Sequence, residues 1–180
     1  MVFNNIENDR LEISNTFRKL WIQYFIWTKS YIISILENSS DQDAIKKRLL
    51  QNPNNFADEL KIFYEEEEVE RIEKLLEEHI LLIVDYLNHI KSGDNEAREE
   101  IRKKAYHNAS EIAGSFSGIN PHWNKKEWTV MLFDYLGMIE SLIDNRLNKR
   151  YDLDISDRLE KHAYDMSDYM TEGILRQFFI

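Results

Sequence analysis

The chain has 180 residues, a formal net charge of −10 and no cysteine. This length suits one domain, so we expect residues 1–180 to fold as a single unit. The negative charge argues against nucleic acid and anionic membrane surfaces as partners, because both attract basic side chains. The lack of cysteine excludes disulfides, thiolate metal sites and thiol nucleophiles.

The sequence favours a cytoplasmic protein that does not enter a membrane. Residues 1–5 lack the basic and apolar segments of a signal peptide. The densest apolar run, residues 80–87, is interrupted by Asp85 and falls far short of the roughly 20 residues of a membrane span.

Apolar residues recur at three- and four-residue steps, which is the spacing of helices rather than strands. The first predicted helix covers about residues 8–37. A serine of Ser39-Ser40 should cap a short helix, which Asn52-Pro53 stops because proline cannot donate to a continuing helix. A second short helix follows over about residues 55–64. The segment from about 40 to 65 is therefore predicted to be an inserted cap or crossover.

Four further long helices are predicted after this insertion. Acidic residues 65–68 suit the start of one of them, and Gly93 suits its end, where the backbone turns left-handed. Asp94 should cap the next helix, and Asn124 with Glu127 should form a capping box opening the one after it. A polar turn over residues 149–154 precedes the last helix. Short connections predict an all-α antiparallel bundle of four to five long helices, with two short helices inserted after the first.

Several of these helices carry a polar side chain near the midpoint of the face predicted to meet the core: Tyr24, His79, Asn108, Tyr135 and His162. In an antiparallel bundle the midpoints lie at one level, so these side chains should meet. Buried polar groups are costly unless partnered. The sequence therefore predicts either a hydrogen-bond network that includes Tyr24, Asn108 and Tyr135, or a ligand site.

The candidate ligands of a divalent metal are His79, His162, Asp165 and Glu111, which would suit Fe, Mn or Zn. Asp165 follows His162 at i+3 and shares its face, and Glu111 shares a face with Asn108 and could point inward. Other interpretations stay open. His79 stands alone on an apolar face, as core histidines do, and His162 with Asp165 is also a common surface ion pair.

The chain also resembles a group of short bacterial all-helical proteins, and the resemblance extends over nearly its whole length. The matching stretches are Leu20-Trp21-x-x-Tyr24-x-x-Trp27-Thr28-Lys29, Arg48-Leu49-Leu50-x-Asn52-Pro53, Leu75-Leu76-x-x-His79, Asn108-Ala109-x-Glu111-Ile112-Ala113, Ile119-Asn120-Pro121-x-Trp123, Met166-x-Asp168-Tyr169-Met170-x-x-Gly173-Ile174 and Gln177-Phe178.

The resemblance implies a fold of hemerythrin-like or ferritin-like appearance. In similar members the positions of Tyr24 and Tyr135 are often histidine, which implies that a metal site here is degenerate or has become a hydrogen-bond network. Some members bear the name acetylglutamate kinase. That activity is not expected here, since the chain has neither the glycine-rich phosphate loops nor the α/β pattern of such a kinase.

Two functions are consistent with these features. The first is a non-enzymatic structural or interaction module with a protein partner or a second copy, in which the polar core fixes helix register. The second is a metal-binding module in the bundle core. Enzymatic action on a small molecule is a third possibility, for which no catalytic residue or reaction is indicated.

Overall fold

The computed structural model describes residues 6–151 and 153–179, and this part of the chain is all-helical with no strand. Five helices are long, and the two short ones follow the first, as the sequence predicts. The helices are α1 (Ile6–Leu36), α2 (Gln42–Leu49), α3 (Asn52–Leu60), α4 (Glu66–Ser92), α5 (Asn95–Ile119), α6 (Lys125–Leu147) and α7 (Asp154–Phe178). None of the helices described is long and apolar enough to cross a membrane.

Three of the predicted helix ends are confirmed by their capping geometry. Gly93 ends α4 with a φ of +75°, a left-handed conformation that glycine adopts without a steric penalty. The Asp94 carboxylate accepts a hydrogen bond from the backbone N–H of Ala97 at 3.0 Å. The Asn124 side chain accepts from two backbone N–H groups in the first turn of α6. These caps stop and restart the helices at the predicted positions.

The short helices begin differently from the prediction. The N-cap of α2 is Asp41 rather than a serine, and its carboxylate accepts a hydrogen bond from Ser34 Oγ at 2.5 Å. Pro53 lies inside the first turn of α3, which begins at Asn52, about three residues earlier than expected. Proline fits there because the first N–H groups of a helix need no partner within the helix.

The long helices pack in chain order: α4 against α5, α5 against α6, and α6 against α7. Helix α1 packs against α7 and also contacts α4 and α6, while α3 packs against α1 and α4. A fully buried aromatic group lies among them. Trp21 stacks on Trp128 with ring centroids 6.0 Å apart, and Phe116 lies 4.7 Å from Trp128. Aromatic contacts of this kind contribute to stability beyond the area that they bury.

The loop between α5 and α6 is fixed to α7 through Trp123. The indole Nε1 donates to the backbone carbonyl of Met170 at 3.2 Å, and the ring lies directly against Gly173. In the same loop, Asn120 Nδ2 donates to the Tyr64 hydroxyl at 2.8 Å. The loop is therefore held by buried hydrogen bonds to two separate parts of the chain.

Candidate functional site

A buried polar cluster lies in the core and consists of Tyr24, His79, Asn108 and Tyr135. The four residues come from α1, α4, α5 and α6, and each is at most 4% exposed. The ring centroids of Tyr24 and Tyr135 are 5.4 Å apart, and those of His79 and Tyr135 are 6.3 Å apart. The structure therefore brings together four of the five mid-helix polar residues that the sequence places toward the core.

The hydrogen bonds of Asn108 fix the tautomer of His79. Asn108 Nδ2 donates to the backbone carbonyl of Leu75 at 3.1 Å, so its other amide atom, Oδ1, faces the imidazole. His79 Nδ1 lies 2.7 Å from that oxygen. Because Oδ1 can only accept, Nδ1 carries the hydrogen and Nε2 is left with a bare lone pair. No group in the described part of the chain donates to that lone pair.

Burial keeps His79 neutral. Desolvation lowers the pKa of His79 from 6.5 to about 4, and the hydrogen bond to Asn108 offsets only part of this effect. The imidazole is therefore uncharged at neutral pH, with one nitrogen used in the fold and the other available as an acceptor.

We expect acid to destabilise the protein through His79. The unfolded chain takes up this proton below pH 6.5, whereas the folded chain takes it up only near pH 4, so the free energy of unfolding falls as the pH drops between these values. The loss from this group reaches about 3 kcal/mol at most. Urea unfolding of the wild type and of His79→Leu across this interval measures it. The pH dependence should be shallower in the variant, and equal slopes would contradict the assignment.

The two tyrosine hydroxyls of the cluster are buried without well-formed hydrogen bonds. Tyr24 Oη and Tyr135 Oη have no partner of good geometry among the described residues. Burial raises the pKa of both phenols, and the adjacent Tyr135 hydroxyl raises that of Tyr24 further. Both phenols are therefore neutral at physiological pH. The hydroxyls of Tyr24, Tyr135 and Thr28 lie close enough to influence one another, but Tyr24 and Tyr135 lack hydrogen bonds of good geometry, so their burial costs free energy that an apolar ring would not.

His162 lies outside the buried polar cluster. Its ring stacks on Phe25 with the centroids 6.2 Å apart, and Phe25 in turn stacks on Tyr135 at 4.5 Å. His162 is half-buried, and its Nε2–H donates to the backbone carbonyl of Met131 at 2.8 Å. The two imidazoles therefore have separate hydrogen-bond partners on different helices.

The two predicted carboxylate ligands point to solvent. Asp165 pairs with Lys161 at 2.6 Å. Glu111 lies 3.8 Å from His107, and the inward orientation expected for it is wrong. Over residues 6–151 and 153–179, no group of three or more histidine or acidic side chains is placed to hold a metal ion. The structure thus does not bring His79, His162, Asp165 and Glu111 together.

His162 instead lines an open cleft between α6 and α7, of about 440 Å³. Three of the residues that shape this cleft have no pattern in the sequence that marks them as site residues, namely Asp134, Gly137 and Arg158. Of these three, Gly137 is the one position with a usable signal in the sequence, which is its residue type alone. A glycine inside a helix is unfavourable by about 1 kcal/mol relative to alanine, so its presence there usually has a packing or functional reason.

No family model, curated protein or solved structure matches this chain. The fold and the site define it as an all-helical protein with a buried polar cluster and a separate polar cleft. Because many functions share a fold, its function has to follow from the geometry of these two sites.

Proposed function

We propose that this chain is a non-enzymatic structural or interaction module in which the buried polar cluster fixes the register of the helices. The hydrogen bonds of the candidate ligands support this proposal most directly. His79 is committed to Asn108 at 2.7 Å, and His162 to the Met131 carbonyl at 2.8 Å. Each bond joins two different helices, and the buried bond between His79 and Asn108 disfavours sliding of α4 along α5.

The proposed architecture is an antiparallel bundle of hemerythrin-like or ferritin-like appearance. Contacts between α4 and α5 support the antiparallel direction. His79 lies beside Asn108, whereas Tyr86, later in α4, lies in the same contact region as Arg102, earlier in α5. These contacts move toward the C-terminus of α4 as they move toward the N-terminus of α5, which is the pattern expected of antiparallel helices.

In this proposal the function resides on the outside of the bundle, and a second copy of the chain or another protein is the partner. A net charge of −10 supports a partner other than nucleic acid. A cytoplasmic location is part of the same proposal and rests on the lack of cysteine.

A metal-binding module with a degenerate centre is the second candidate. The observation that favours it is the group of unpaired polar atoms in the core, namely His79 Nε2 and the hydroxyls of Tyr24 and Tyr135. A purely structural core gains nothing from such unpaired atoms, and a bare imidazole nitrogen is the form that binds metals.

Metal removal separates the two candidates. Protein purified without a histidine tag should contain well below one equivalent of Fe, Mn or Zn. Its melting temperature should be the same with and without a strong chelator, because the proposed hydrogen bonds need no metal. A melting temperature that falls on chelation and recovers with one of these metals would replace the first candidate with the second. Heat-inactivated protein assayed for metal serves as the control for adventitious binding.

A further inference from the structure

The α6–α7 cleft presents two opposite charges without partners. Its lining includes Phe133, Asp134 and Met138 from α6 and Arg158, Lys161 and Asp165 from α7. Lys161 and Asp165 neutralise one another at 2.6 Å. Within residues 6–151 and 153–179, neither Arg158 nor Asp134 has an ion-pair or hydrogen-bond partner. The cleft thus holds one available guanidinium on α7 and one available carboxylate on α6.

His162 contributes a third polar group with a defined role. Its Nε2–H is committed to the Met131 carbonyl at 2.8 Å, and its ring stacks on Phe25 with an interplanar angle of 13°. These two contacts hold the imidazole in one orientation. Nε2 carries the hydrogen of that bond, and no described residue is a hydrogen-bond partner of Nδ1.

Gly137 shapes the wall of the cleft. It lies inside α6, where glycine is less favourable than alanine. A Cβ built at Gly137 meets no heavy atom within 4 Å, so no packing contact requires a glycine there. The missing side chain leaves space in the cleft instead, and this separates Gly137 from Gly173, where a neighbouring ring excludes any Cβ.

We propose that this cleft binds a small zwitterion of the amino-acid class, with its carboxylate on Arg158 and its ammonium on Asp134. The planar guanidinium suits a carboxylate, because it can donate two parallel hydrogen bonds. His162 lies in the same lining and adds a polar ring beside these two charges. Phe133 and Met138 offer apolar surface to the side chain of the ligand. A ligand with one charge would leave one of the two available groups unpaired.

The volume of the cleft suits a small molecule, and its solvated charges predict weak binding. A cleft of about 440 Å³ lies within the range of small-molecule sites, roughly 300–1,000 Å³. The cleft is open and its charged groups are solvated, so each ion pair contributes little. We therefore expect a dissociation constant of about 1 mM. This inference goes beyond the proposed function and does not depend on whether the core binds metal.

The test is an NMR titration of the full-length protein with L-phenylalanine. Phenylpropionate and phenethylamine serve as matched ligands that each lack one charge. Backbone amide resonances of residues 133–138 and 158–165 should shift with L-phenylalanine, and each of the two analogues should bind roughly two- to fivefold more weakly. The proposal is overturned if these amides do not respond to L-phenylalanine. It is equally overturned if phenylpropionate binds as well as the zwitterion, because the cleft would then be a simple anion site.

Gly137→Leu is the decisive variant because it should fill the cleft without disturbing the core. We expect it to abolish the shifts while the melting temperature stays the same or rises, since leucine is the better helix former. Gly118→Leu is the matched control: Gly118 is also inside a helix, also has nothing within 4 Å of a built Cβ, and lies outside the cleft lining. Binding that survives Gly137→Leu would place the ligand elsewhere and overturn the proposal.

Discussion

Gly173→Ala is expected to lower the free energy of unfolding by about 3 kcal/mol or more. A Cβ built at Gly173 lies 2.0 Å from Nε1 and 2.3 Å from Cδ1 of Trp123. The indole is only 1% exposed, and its hydrogen bond to the Met170 carbonyl holds it in place. The ring therefore has to move, which breaks this bond and leaves the Asn124 N–H to Tyr169 hydroxyl bond to hold the α5–α6 loop on α7. Urea unfolding monitored by tryptophan fluorescence measures the loss.

Gly118→Ala controls for the general effect of replacing a helix glycine. Its Cβ would meet nothing within 4 Å, so the substitution should be neutral or stabilise α5 by up to about 1 kcal/mol. Equal stabilities of the Gly173→Ala and Gly118→Ala variants would show that Trp123 does not pack against Gly173 as described.

A double-mutant cycle on His79 and Asn108 should reveal strong coupling. His79→Leu leaves Asn108 Oδ1 buried without a donor, and Asn108→Leu leaves His79 Nδ1–H without an acceptor. We expect each single variant to lose about 1–3 kcal/mol. The double variant should lose about 1–2 kcal/mol less than the sum, because it leaves neither orphan. Chemical denaturation of the four proteins gives the coupling free energy.

The hydrogen bond to Asn108 makes His79 harder to replace than an isolated core histidine. An isolated core histidine could be replaced by leucine with little loss, but here Asn108 would retain an unmet acceptor. Tyr135→Phe provides the contrast within the same cluster, since the hydroxyl that it removes has no well-formed hydrogen bond. That variant should be neutral or more stable. A coupling near zero between His79 and Asn108 would mean that their contact does not contribute to stability.

The helices and most of their ends could be predicted because the signals are local. Gly93, Asp94 and Asn124 act within one turn of their own helix, so their roles can be recognised from neighbouring residues alone. The prediction that Pro53 stops a short helix is wrong, since Pro53 lies in the first turn of α3. Proline suits both the residue after one helix and the first turn of the next. Only the packing of α3 against α1 and α4 decides between these positions.

The spacing of apolar residues identifies the middle of a core-facing helix surface more reliably than its margins. Asn108, Ile112 and Ser115 are all buried, and they mark the line of α5 that faces the core. Glu111 is about 60° away from Asn108 around the helix, at the margin of that face. The sequence leaves its direction undetermined, and the structure turns it to solvent beside His107.

The partner of His162 could not be predicted, because it is a backbone carbonyl. Any residue supplies such an acceptor, so Met131 carries no sequence signal for this role. The side-chain pair of His79 and Asn108 was different, since both partners are polar and occupy predicted core positions. For the same reason the sequence identified the buried polar cluster but not the α6–α7 cleft, whose charges lie on solvated faces.

The imidazole of His79 offers the most direct test of a structural rather than chemical role for the buried cluster. Nitrogen-15 NMR at neutral pH should find Nδ1 protonated and Nε2 bare, and one equivalent of Zn²⁺ should leave both resonances in place. A Zn²⁺-dependent shift of Nε2 would mean that the cluster is a metal centre and would contradict the account.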